Sequence, residues 1–130
     1  MSYYFNKVLK SKSFDEAIEQ VTAELKKEGF GVLTEIDIKK TLKNKIDVDF
    51  KNYKILGACN PHFAYKALQS EDKIGVLLPC NVIVEEHDNG EIEVSAVDPI
   101  TSMGAVENEN LADLASEVQQ KLFRVIKSLN

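Results

Sequence analysis

The sequence predicts an α+β two-layer sandwich, a mostly antiparallel sheet covered by helices, and three observations carry that prediction. Residues 14–25 and 111–129 place apolar side chains at helical spacing. The stretches 3–9, 31–36, 53–59 and 74–87 read as strands. Asp88-Asn89-Gly90 marks a hairpin after the last of them. Helices that alternate with strands and include a hairpin give this class. At 130 residues the chain is one domain, 1–130, long enough to bury a core without staples.

The first strand, 3–9, puts Tyr4, Asn6 and Val8 on one face and Tyr3, Phe5, Lys7 and Leu9 on the other. Ser13 caps the first helix, and Glu16 completes an S-x-x-E capping box. Phe14, Ala17, Ile18, Val21 and Leu25 form its apolar stripe, and Gly29 is placed to end it. A second strand, 31–36, leads to Asp37, which caps a short helical turn holding Ile38 and Leu42, before a polar loop over 43–52. The third strand, 53–59, runs into Asn60 as helix cap with Pro61 at the first helical position. The fourth, 74–87, is apolar enough near its start to be covered on both faces, and Pro79 within it implies an edge position or a bulge. The final stripe, Leu111 to Leu129, is capped by Asn108 or Asn110 and covers the sheet.

The hairpin register follows from charge. A two-residue Asn-Gly loop would set Glu86 opposite Glu93, a like-charge pair. A three-residue loop with Gly90 left-handed instead pairs Val84 with Val94 and Val82 with Ala96. Continued without a further bulge, this register sets Cys80 opposite Asp98.

The net charge of −5 favours solubility and gives no sign of nucleic-acid binding. The aromatics do not interleave with Lys or Arg as a stacking platform for single strands. Residues 1–7 lack the pattern of a signal peptide, and no apolar run reaches the ~20 residues that span a bilayer. The expected compartment is the cytoplasm, where Cys59 and Cys80 rest reduced.

The stretch Tyr53 to Pro61 ending in Cys-Asn-Pro, then Ala64, Ala67 and Leu68, then Gly75 to Val82 with Leu-Leu-Pro-Cys-Asn, resembles the domain of unknown function 302 family. Leu33 to Asp37, Thr41 to Lys43, Asp98-Pro99 and Met103 fit the same pattern. The resemblance spans nearly the whole chain. It implies a compact α+β fold and a homodimer, and it supplies no activity.

The chemistry of the sequence gathers at the two cysteines. A thiol just before a helix start meets free amides and the positive end of the helix dipole. Such settings pull a thiol pKa from ~8.5 to as low as ~3.5–7.5. Cys59 is therefore the expected nucleophile, Cys80 its partner sulfur, His62 an electrostatic aid and Asp98 an orienting acid. Asn60 and Asn81 can offer amides to a small polar ligand, with Met103-Gly104 as a flap above them. The favoured expectation is thiol-based handling of a small sulfur or redox species. The alternative is a non-catalytic module that binds a small molecule or a protein through the same cleft. Whether the chain is an enzyme stays open, and no cofactor is assigned.

Zinc would draw on Cys59 and His62, with Cys80 and Asp98 added, but zinc sites usually use two tight ligand pairs and this chain offers one. His87 stands about 23 Å along the strand from Cys80 and points to the other face. Glu85, Glu86, Glu91 and Glu93 read as an acidic, solvated edge that discourages aggregation. Lys39, Lys40, Lys43 and Lys45 read as a solvated face.

Overall fold

Apolar and polar residues alternate along the hairpin strands, which dictates a sheet with one dry face. A computed structural model describes residues 2–130. Strands β1 (Tyr4–Leu9), β2 (Gly31–Asp37), β3 (Tyr53–Cys59), β4 (Cys80–Glu86) and β5 (Ile92–Val97) form an antiparallel sheet in the order β1-β5-β4-β3-β2. Helices α1 (Phe14–Lys27), α2 (Ile38–Ile46), α3 (Pro61–Ser70), α4 (Pro99–Ser102) and α5 (Glu109–Ser128) complete the α+β sandwich.

The core lies between the sheet and helices α1 and α5. Leu56, Val82, Val84, Ile92 and Val94 come from the sheet, and each is fully buried. Ala17, Val21 and Leu25 meet them from α1, and Leu122, Val125 and Ile126 from α5. The i, i+4, i+8 spacing on α1 keeps its three residues on one face. The capping box is present: Ser13 Oγ accepts from Glu16 N at 3.1 Å, and Glu16 accepts from Ser13 N at 3.0 Å. The hairpin register is the expected one, with Val84 opposite Val94 and Val82 opposite Ala96. It also pairs Glu85 with Glu93, so the left-handed Gly90 loop and the apolar pairs select it, and not the avoidance of like charges. Gly90 has φ of 85°, the left-handed geometry that its loop requires.

Three elements differ from expectation. The turn after Asp37 is a nine-residue helix, α2, so the helix takes the first part of the expected 43–52 loop. It is capped where Asp37 Oδ1 accepts from Lys40 N at 3.0 Å. The expected fourth strand also starts late: Asp72–Leu77 is a 3-10 helix, and β4 begins at Cys80. Proline has no N–H for a ladder, so Pro79 stops the strand from extending backwards. Pro79 therefore marks no edge and no bulge of its own strand, because β4 is the central strand of the five. The register shift falls in β2 instead, between Val32 and Thr34.

The third difference concerns α5. Its C-terminal half covers the sheet, as expected. Its first turns diverge, and Leu111 joins Ala67 of α3 and Ile74 of the 3-10 segment in a second, smaller cluster. The space between the two clusters is where the site lies.

Candidate functional site: an apolar cavity at the end of β3

Asn60 fixes the turn between β3 and α3. Its Oδ1 faces Phe63 N at 3.5 Å, and its Nδ2 donates to Glu28 O at 3.4 Å, beyond the end of α1. Both bonds are long, yet Asn60 is buried and both ends of its amide are engaged within the protein. It caps α3, and one N–H of its amide has no partner among the described residues at the cavity it lines.

Past this turn opens a cavity of about 340 Å³. Phe63 and Ala64 of α3, Leu114 and Val118 of α5, and Met103 wall it, with Cys59 and Cys80 contributed by the sheet. Among the described residues no charged side chain lines it. Gly57 supports the site from β3. A Cβ there would lie 2.2 Å from Thr34 Oγ1 and 2.8 Å from the Pro79 ring, so only glycine lets β2 and Pro79 approach so closely.

The two cysteines differ in setting. Cys59 is half-buried, whereas Cys80 is buried. Burial, aided by the neighbouring Cys59, pushes the Cys80 thiol up to about 11. Cys80 is therefore a neutral thiol at physiological pH, because a low-dielectric surrounding disfavours the thiolate.

The structure gathers Cys59, Cys80 and Asn60 at this cavity and leaves His62, Asn81 and Asp98 elsewhere. His62 is exposed in the first turn of α3 and is not part of the lining. Asn81 is exposed on the opposite face of the sheet, across from Gly57. Asp98 does not pair with Cys80, which corrects the extended register. The β4–β5 ladder stops at Val82 and Ala96, and Cys80 pairs with Ala58 of β3. Asp98 turns away: its N–H donates to Tyr3 O, and its carboxylate caps α4 and accepts from Gln119 Nε2 at 3.1 Å. The strand-ending Asp-Pro opens a helix, and that diverts the chain from the ladder.

Sequence reasoning missed Phe30, Phe63 and Leu114 as cavity walls. Phe30 follows the α1 terminus and carried no periodic signal. Leu114 was legible only as part of a continuous apolar stripe. Met103, expected as a flap above the Asn60–Asn81 site, lines the cavity.

Fold and site together define a small α+β domain with an apolar cavity between its helical layer and one end of its sheet. The chain belongs to the domain of unknown function DUF302 family, whose model matches residues 5–129. It is similar to an uncharacterized conserved DUF302 protein from Bacillus stearothermophilus, seen in a crystal structure, at 26% identity and a TM-score of 0.89. The match covers 98% of each chain. No curated protein matches the chain. Among the described residues no helix is long and apolar enough to cross a membrane.

Proposed function

We propose that this domain binds a small, predominantly apolar molecule in the cavity at the end of β3, without needing to transform it. The observation that supports this reading is the uncharged lining of a space of about 340 Å³. That volume falls at the small end of the ~300–1,000 Å³ typical of ligand pockets. Each ~100 Å² of apolar ligand surface removed from water contributes about 2.5 kcal/mol. Hydrophobic burial is then the main source of affinity, since among the described residues Asn60 and the two thiols are the only polar side chains in the lining.

Titration with N-phenyl-1-naphthylamine, an uncharged fluorophore, tests the reading. Saturable enhancement at one equivalent is expected for the wild-type protein, with loss in Ala64→Trp, which fills the cavity from α3. Absence of saturable binding by a folded wild-type protein ends the proposal.

The thiol reading keeps one supporting observation, that Cys59 and Cys80 line the same cavity. With Cys80 held as a neutral thiol, the attacking sulfur in that reading is Cys59 alone. Pulsed iodoacetamide labelling from pH 6 to pH 9 separates the two. Fast Cys59 modification below neutrality would favour thiol chemistry, and uniformly slow labelling favours the binding module. In either case Cys80 is expected to stay unmodified until the protein unfolds.

A further inference from the structure

On the sheet face turned away from the cavity, Glu85 of β4 and Glu93 of β5 stand directly opposite one another. Like charges at paired positions repel, and these two are not dispersed into solvent: their side chains are 14% and 18% exposed. The hairpin joins two interior strands, so these residues do not form the solvated edge expected from sequence. Two neighbours orient Glu93. Asn6 Nδ2 of β1 donates to its Oε2 at 2.6 Å, and His87 Nε2 lies 2.8 Å from its Oε1. Lys51 Nζ lies 2.8 Å from Glu85 Oε1.

We propose that Glu85, His87 and Glu93 form a binding site for a divalent transition metal such as zinc, for which the Lys51 ammonium is a built-in competitor. The ligand atoms of the three residues all lie within 4.8 Å of one another. Bonds of ~2.0–2.2 Å to one zinc ion set donors roughly 3–4 Å apart, so small side-chain rotations close the set. One imidazole with two carboxylates suits zinc and its neighbours better than magnesium or calcium, which take all-oxygen shells. Two of the three donors are carried by paired central strands, and Asn6 holds the free oxygen of Glu93 as an outer-shell partner would. The site adjoins an open recess walled by Tyr3, Tyr4, Tyr53 and Ser95, through which water or a ligand oxygen can reach the ion. A dication balances the two carboxylates, and Lys51 then swings out. Its side chain is 32% exposed, so it can reach solvent on giving up Glu85 and the faces of Phe50 and Tyr53.

Zinc titration of the full-length protein at pH 7.5, read by competition with a chromophoric chelator, tests this. The wild-type protein is expected to take one equivalent. Lys51→Met should bind several-fold more tightly, because the competing cation is gone. Glu93→Gln, which keeps the shape and the Asn6 contact, and His87→Ala should each lose tenfold or more. The Cys59→Ser, Cys80→Ser double variant should match wild type, since this site is independent of the thiols. Lack of stoichiometric zinc in both wild type and Lys51→Met overturns the proposal. So does binding that survives in both Glu93→Gln and His87→Ala, or that vanishes with the cysteines.

Discussion

Successive residues of β4 and β5 point into two different environments. Val82, Val84, Ile92, Val94 and Ala96 face α1 and α5 and are sealed from water. Between them, Asn81, Ile83, Glu85, Glu93 and Ser95 face an open recess with tyrosine walls. The dry face gains its stability from burial, and the open face collects nearly all of the polar chemistry. The apolar cavity belongs to the dry face, where the cover of α5 gives way to α3 at one end of the sheet. A one-residue slip of the hairpin would carry both glutamates into the core, so the register is strongly specified.

The sharpest way to break this comparison uses one helix. Leu122 of α5 is fully buried over the sheet, whereas Leu114, two turns earlier, is half-buried beside the cavity. Leu122→Ala should lose about 2–5 kcal/mol of stability, from lost transfer energy plus the void it leaves. Leu114→Ala merely enlarges an existing space and should lose about 1 kcal/mol or less. Urea unfolding with unchanged slope reads both values. Equal losses would mean that the cavity closes in solution and that its walls are ordinary core.

Gly57 comes next, because it is where β3 lets Pro79 and Thr34 approach. Gly57→Ala should lose about 1–3 kcal/mol through overpacking, since the rigid proline ring cannot yield as a flexible side chain would. The same substitution should disturb ligand uptake, because Pro79 and Cys80 both line the cavity. Gly31, where a Cβ would meet nothing within 4 Å, is the control on the neighbouring strand.

Much of this was legible in the sequence where local chemistry decides structure. The Ser13 capping box, the Asn60-Pro61 helix start and the hairpin register each depend on a few adjacent residues, and each is present as read. The errors came where distant packing overrides local pattern. The run Ile74 to Leu78 has the composition of a strand, yet Pro79 denies it a ladder bond and Ile74 is drawn to Ala67 and Leu111. The Cys80–Asp98 pairing assumed an unbroken ladder, and the cap that Asp98 supplies to α4 ended it. The Glu85–His87–Glu93 cluster was within reach: the register that paired Val84 with Val94 also paired the two glutamates. Its depth was not, because the recess is completed by Tyr3, just before β1, and Tyr53 of β3, far apart in sequence.

The smallest expected effect lies on the open face and is a matter of slope. Hydrogen bonds from Asn6 and then His87 hold the Glu93 carboxyl below its ordinary value, against the opposing effect of burial. An unfolded glutamate titrates near ~4.3. A folded value below that means the contribution of Glu93 is fully present above that pH and is lost as pH falls through the folded value. Glu93→Gln should therefore change stability at pH 7 by less than about 1 kcal/mol, partly because it also relieves the repulsion with Glu85. Between pH 5 and pH 3 the wild-type protein should lose stability more steeply than the variant. Parallel acid limbs would mean that Asn6 and His87 do not grip the carboxylate in solution, and the polar order of this face would then be looser than that of the dry face.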